Sequence, residues 1–375
     1  MARSRRGGMP SGRFLPLCSC PPTYALSVIE AVPEPTAVSA LPLRRKLLTW
    51  LLLACTSVWL AEVSATSTRF PFVTLSGWVM LVPLYGLHAL LGGWLVMRAP
   101  RVTWPVVYLP GVLFGLYEAY ITKVLWDPTW SKADWHWQAG GLYLTQTAIL
   151  VLFWHPVFAF ILPLTLVERA ATGSSELLDV LPRPLRWLAG NRWGLVVLGL
   201  LAGTYSAIGA SWLVALGSAA TSVAVVLLVR ELVGRLGAAP SLRTVLPSNR
   251  EAAWLAGLLA LGYLVLGFGM RRESLPPVWP GQVTVWVIYA IVIGLYVLAL
   301  RRTRTVGPAT VDAYQRATRR PLVTLAIAFT IAAMVSSLAG AITPRVGVAI
   351  LIVGTLTCAV WFVGVVVRIL TRPVS

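Results

Sequence analysis

The chain has 375 residues, 57% of them hydrophobic and only 12% charged, and it carries a net charge of +18. Soluble domains carry about 25% charged residues, so the composition excludes a soluble globular protein and predicts an all-α integral membrane protein, a polytopic helix bundle. A charge of this sign suggests nucleic acid in a soluble protein. Here most basic residues lie between apolar runs, where they set topology and meet anionic lipid headgroups, so no nucleic-acid partner is expected.

In chain order, residues 1–46 show no sustained apolar period and read as a disordered basic tail. Cys18 and Cys20 within it form a C-x-C with no second ligand pair, which is thin for a metal site. Arg44-Arg45-Lys46 followed by LLTWLLLACTSVWLAEVSA fits a first transmembrane helix, or a signal peptide cleaved after Ala65. The retained helix is preferred. Runs of roughly 20 apolar residues, enough to span a bilayer, then recur near 47–65, 74–97, 104–126, 139–167, 193–210, 211–229, 251–270, 282–300, 321–339 and 346–367. That predicts ten spans. Ser248-Asn249-Arg250-Glu251 has the pattern of a capping box opening the seventh.

With the N-terminus inside, the inner segments hold roughly fourfold more Lys and Arg than the outer ones, the asymmetry that orients membrane proteins. Both termini are therefore expected in the cytoplasm and the Trp-rich turn at 126–138 on the outer face, most simply in the cell membrane. Four spans, 47–167, form a sector with interior prolines (Pro83, Pro110, Pro156, Pro163) and ionisable groups. Residues 168–192 read as a cytoplasmic loop lying along the interface, with Arg183 and Arg186 toward phosphates and Trp187 inward. Glu168-Arg169 at its start reads as a solvated helix end. The six spans of 193–367 are rich in Gly, Ala, Ser and Thr and read as scaffold, since small residues let helices approach closely. Residues 368–375 form a cytoplasmic tail. Cys55 and Cys358 fall inside apolar runs and read as small hydrophobes.

The chain has no phosphate-binding loop, no H-E-x-x-H and no G-x-S-x-G. Candidate chemistry concentrates in Gly111 to Gln138. Glu118 lies eight residues in from Trp126, about 12 Å deep if the helix is continuous. An ionised carboxylate there costs about 2.5 kcal/mol or more unless paired or wet. It should be protonated, bonded to Tyr117 or Tyr120, or facing a cavity, and it serves as a coupling group or merely as a satisfied core glutamate. Lys123 and Asp127 are four apart and should pair as a boundary anchor.

Trp126, Trp130, Trp135 and Trp137 alternate with Asp127, Asp134 and His136. An interfacial aromatic belt is the plain reading. A binding lip for a sugar or cation is the sharper one. Asp134-x-His136 offers two metal ligands with no third, so no metal site is predicted. His88 and His155 fall at similar depth on neighbouring spans, as a bis-imidazole haem would need, or they are satisfied core histidines, with His155 bonding a carbonyl loosened by the Pro156 kink. Beyond that conditional haem no cofactor is indicated.

Three functions follow from these residues. The first is a carrier or channel-like transport protein with an outward-opening cavity and Glu118 as coupling group. The second is an embedded enzyme acting on a lipid or lipid-linked substrate at the outer face. The third is a non-catalytic subunit or scaffold, with or without haem. A membrane protein partner or a homo-oligomer is compatible with each.

Overall fold

A chain in hydrocarbon must satisfy its backbone N–H and C=O groups internally, and this one does so almost wholly with helices. The structure is a computed structural model, which describes residues 41–127, 137–172, 174–270, 272–275, 278–304, 320–340 and 342–371. Helices α1 (Leu43–Val63) and α2 (Gly77–Met97) are followed by α3 (Trp104–Gly115). A two-stranded hairpin, β1 (Gln138–Ala139) and β2 (Leu142–Tyr143), leads into α4 (Leu144–Ala171). Two short helices, α5 (Glu176–Val180) and α6 (Arg183–Gly190), precede α7 (Arg192–Ser206) and α8 (Trp212–Arg235). The chain ends in α9 (Asn249–Met270), α10 (Val283–Arg304), α11 (Arg320–Leu338) and α12 (Ile342–Thr371).

Each of the ten expected apolar runs holds a helix, and eight helices among the described residues are long and apolar enough to cross a membrane. The other two of the ten expected spans are shorter. Helix α7 has 15 residues and α3 only 12, against the roughly 20 that a bilayer requires. The expected tail boundary also moves, because α1 begins at Leu43 and already includes Lys46. Asn191 and Ser211 cap α7 and α8, and the predicted capping box of Ser248 and Glu251 opens α9.

Long-range polar contacts tie the helix ends together at two levels. At one, Lys46 at the start of α1 pairs with Glu251 at the start of α9 at 2.5 Å. Nearby, Arg243 bonds Glu176 at 2.6 Å and the carbonyls of Met97 and Ala99. At the other, Arg69 donates to the Ile208 carbonyl at 2.8 Å and Thr284 to the Gly140 carbonyl at 2.6 Å. The hairpin turn uses Gly140 and Gly141 at positive φ (58° and 75°), the conformation a two-residue loop demands.

The 168–192 segment departs from its expected form. Glu168 is fully buried and accepts hydrogen bonds from Ser174 Oγ (3.0 Å) and the Leu177 amide (3.1 Å). It is no solvated helix end, because the chain folds back and the carboxylate caps the first turn of α5. Leu177, Leu181 and Leu185 face the bundle. Arg186 turns back onto the carbonyls of Asp179 and Leu181.

Helices α7 and α11 run side by side in the same direction, with Thr204 Oγ1 and Ser336 Oγ 2.9 Å apart across them. Gly199 and Gly203 face Ala328, Phe329 and Ala332, a close approach of small residues that gains dispersion contacts without hydrophobic driving force from water. A Cβ on Gly203 would lie 2.3 Å from the Phe329 carbonyl oxygen. Gly203→Leu is therefore expected to prise α7 from α11 and lower stability by about 1–3 kcal/mol or more. Thermal unfolding in mild detergent checks this, and a wild-type midpoint would contradict the packing described.

Candidate functional site

The site begins with the way α3 meets α4. Gly111 and Gly115 lie one turn apart on α3, and a Cβ on either would come within 2.8 Å of α4 backbone, at Pro156 Cα and Val151 Cα respectively. Glycine is what lets the two helices touch. On the other side of the contact, α4 runs as a π-helix from Ala148 to Ile161 with Pro156 inside it. Proline lacks an N–H, and the wider π turn accommodates that loss. Within that widened turn His155 Nδ1 reaches back five residues to the Leu150 carbonyl at 3.1 Å.

Helix α3 does not continue to residue 126 as expected. After Gly115 the backbone tightens into a 3-10 turn, Leu116–Ala119, and then leaves helical geometry altogether. Lys123 adopts φ 56°, a left-handed conformation costing roughly 1–2 kcal/mol for a non-glycine residue. The anticipated Lys123–Asp127 pair forms at 2.9 Å, and the Asp127 amide bonds the Lys123 carbonyl at 2.9 Å. The pair thus closes a turn and does not anchor a helical face. The depth of Glu118 estimated from a continuous helix falls with it.

The 3-10 turn carries Tyr117 and Glu118 into the bundle, both buried. Glu118 Oε1 is 3.1 Å from His155 Nε2, and its Oε2 accepts a hydrogen bond from Thr122 Oγ1. Tyr117 Oη is 3.2 Å from the same His155 nitrogen and 2.8 Å from Tyr85 Oη. Tyr85 Oη donates to Glu62 Oε1. Since Leu150 O and Glu118 Oε1 are both acceptors, His155 cannot satisfy both with one proton. Either the imidazole is doubly protonated beside a carboxylate, or a carboxylic acid donates to Nε2. One proton held between Glu118 and His155 satisfies both contacts.

Next to this pair stands a second, neutral arrangement. His88 Nδ1 donates to the Leu84 carbonyl (2.8 Å), which leaves Nε2 to accept from Tyr263 Oη (3.0 Å). Tyr263 also hydrogen-bonds Tyr289. Phe114 stacks on His88 with ring centroids 4.8 Å apart and touches His155 at 5.9 Å. A haem between the histidines would have to displace Phe114 and break the bonds at one ring nitrogen of each, Tyr263 from His88 and Glu118 and Tyr117 from His155 if both ligate through Nε2. The donor set does not fit one, which corrects the bis-imidazole expectation. Among the described residues no group of three or more metal-ligating side chains occurs.

His88, Tyr263 and Tyr289 form one end of a cavity of about 600 Å³ between α2, α3, α9 and α10. The rest of its wall is apolar, with Leu91, Leu113 and Leu259 among the lining residues. Phe114 lies in this wall and in the acid–base cluster alike.

Of the residues singled out in the sequence, Glu118, Tyr117, His155 and His88 are thus brought together. Tyr120 is half-buried with its ring 6.4 Å from Tyr263. Asp127 is exposed and paired with Lys123, Trp126 is half-buried, and Trp137 is 77% exposed. Trp130, Asp134, Trp135 and His136 lie outside the described residues, so the Trp lip has no structural description here. Sequence reasoning missed Glu62, Tyr85, Thr122, Tyr263 and Tyr289. The available signal was tyrosine within apolar spans, where a buried hydroxyl needs a partner.

Comparison with known proteins bears on the chain as a whole. A family described as an uncharacterized membrane protein family matches residues 51–374. An uncharacterized protein of Archaeoglobus fulgidus is 37% identical over 257 residues, covering 67% of this chain and 78% of its own length. No solved structure matches. The chain belongs to that family and is an integral, multi-pass membrane protein.

Proposed function

We propose that this member of the uncharacterized membrane protein family is a membrane-embedded enzyme that takes a lipid-like amphiphile from the bilayer. Its apolar portion occupies the cavity between α2, α3, α9 and α10. Its single polar group lies at the His88–Tyr263–Tyr289 end, where hydroxyls and an imidazole supply hydrogen bonds. The Glu118–His155 pair delivers or removes a proton there, with Tyr117 between the pair and His88, whose ring is 5.4 Å from that of Tyr117. The observation that carries the reading is the wall shared by an apolar cavity and a buried acid–base pair, through Phe114 and His88. A few polar groups converging on one end of an apolar pocket is the usual form of a binding site.

Water-soluble cargo fits the cavity poorly, which sets the outward-opening carrier behind this reading. One observation keeps a proton-coupled carrier as the second possibility: α3 breaks at Gly115 inside the bundle, and irregular backbone at depth is tolerated where it lines a cavity. A carrier moves its ligand unchanged, whereas an enzyme alters it.

The test is to incubate the purified protein in vesicles of its host's membrane lipids and follow lipid species by mass spectrometry. A lipid converted by the wild type should be converted about 10²–10⁴-fold more slowly by Glu118→Gln, the range of general acid–base contributions. Equal rates in both proteins, or no lipid altered by the wild type, would sink the enzyme reading.

A further inference from the structure

The buried pair has a hydrogen-bonded connection to the edge of the bundle, and it runs through Glu62. This residue ends α1 and is half-buried. Its Oε2 accepts hydrogen bonds from Ser67 Oγ (2.7 Å) and Thr68 Oγ1 (3.1 Å) in the segment that follows, and that contact with Ser67 is exposed. Its other oxygen accepts from Tyr85. From there the contacts are continuous: Tyr85 Oη to Tyr117 Oη at 2.8 Å, Tyr117 Oη to His155 Nε2 at 3.2 Å, and His155 Nε2 to Glu118 Oε1 at 3.1 Å. Four separate segments supply the links: α1, α2, the 3-10 turn and α4. Two carboxylates at the two ends of a tyrosine–tyrosine–imidazole chain is more than a buried glutamate needs for satisfaction, since Thr122 and His155 already serve Glu118.

We infer that Glu62, Tyr85 and Tyr117 form a proton path from the edge of the bundle to the Glu118–His155 pair, with Glu62 as the group that takes up the proton. The step balances without any co-reactant. A proton on the Glu62 carboxyl passes to Tyr85 Oη as the Tyr85 hydroxyl proton passes to Tyr117 Oη. The Tyr117 hydroxyl proton passes in turn to His155 Nε2 as the proton already on that nitrogen passes to Glu118 Oε1. Each tyrosine and the imidazolium lose one proton and gain one, Glu62 is left as a carboxylate, and Glu118 becomes the carboxylic acid. Among the described residues, the titratable groups beside the path are His88 from α2 and Tyr263 from α9, which are bonded to each other. The inference deepens the acid–base reading of this site and rests on it only for the use made of the proton.

The test reads protons, not product, so it stands apart from the lipid assay. The protein is reconstituted in phosphatidylcholine vesicles, the outside pH is jumped, and the carboxyl C=O band lost in Glu118→Gln is followed by time-resolved infrared difference spectroscopy. Glu62→Gln and Tyr85→Phe should each slow the response of that band by tenfold or more. Tyr85→Phe keeps the ring and its packing, so it reports even if Glu62→Gln fails to fold. A response as fast as wild type in the folded variants would overturn the path. So would a wild-type protein in which no Glu118 band answers the jump, even if lipid conversion is intact.

Discussion

His155→Ala is expected to lower the stability of the protein by about 3–5 kcal/mol, the usual loss when one partner of a buried ion pair is removed. The imidazole is 3% exposed and the Glu118 carboxylate 8%. Without the ring, Glu118 keeps Thr122 and loses the partner that shares its proton. Tyr117 and Tyr85 lose their common contact at His155 Nε2 as well. A carboxylate left alone in a low-dielectric interior is the costly outcome, so the double variant His155→Ala, Glu118→Gln should recover part of the loss. Thermal unfolding in mild detergent can be followed by thiol labelling, because Cys55 and Cys358 are both free and buried. Cys18 and Cys20 would be replaced by serine to remove their background. A single variant as stable as wild type, or a double variant losing the full sum, would mean that the two groups are not coupled.

Gly115→Val is expected to damage the site without touching any polar group in it. The added Cβ would lie 2.8 Å from Val151 Cα and 2.9 Å from the Leu150 carbonyl oxygen. Both are backbone atoms of the helix that presents His155, so neither can swing aside as a flexible side chain would. Helix α3 must move away from α4, and the 3.1 Å contact between Glu118 and His155 opens with it. Overpacking of this kind costs about 1–3 kcal/mol, occasionally more. The comparison is Gly257→Ala on α9, where nothing lies within 4 Å of the new Cβ. That change should be neutral or stabilising by up to about 1 kcal/mol, the helix preference of alanine over glycine. The same unfolding assay, with lipid conversion alongside, separates the two. Equal behaviour of Gly115→Val and Gly257→Ala would show that the α3–α4 approach does not set the geometry.

The residues of the site were unevenly legible. Glu118 stands out in any reading because a carboxylate inside an apolar run is expensive, and one observed partner, Thr122, is local although the sequence pointed to Tyr117 and Tyr120 instead. Its main partner is His155, 37 positions on, and the reason they meet is two glycines that look unremarkable in sequence. Glu62 sits at the end of the first apolar run and reads as a boundary residue. Only the fold carries Tyr85 to it. Tyr263 and Tyr289 belong to a half of the chain that composition describes as scaffold, yet they close the polar end of the cavity. The Trp-rich turn drew attention by density of rings and charge, and its exposed member Trp137 is compatible with an aromatic belt.

Membrane character, helix as the only practical backbone solution, the placement of ten apolar segments and the cap of α9 all follow from local composition and pattern. They follow because hydrophobicity, hydrogen-bond satisfaction and capping act over a few residues or one helical turn. The early end of α3, the burial of Glu168 under α5 and the assembly of Glu62, Tyr85, Tyr117, Glu118 and His155 were decided by tertiary structure. Residues 116–125 would suit a helix as well as a turn. What ends the helix there is contact with distant parts of the chain, such as the Tyr143 amide bonding the Leu125 carbonyl at 2.8 Å, and no local window contains those partners.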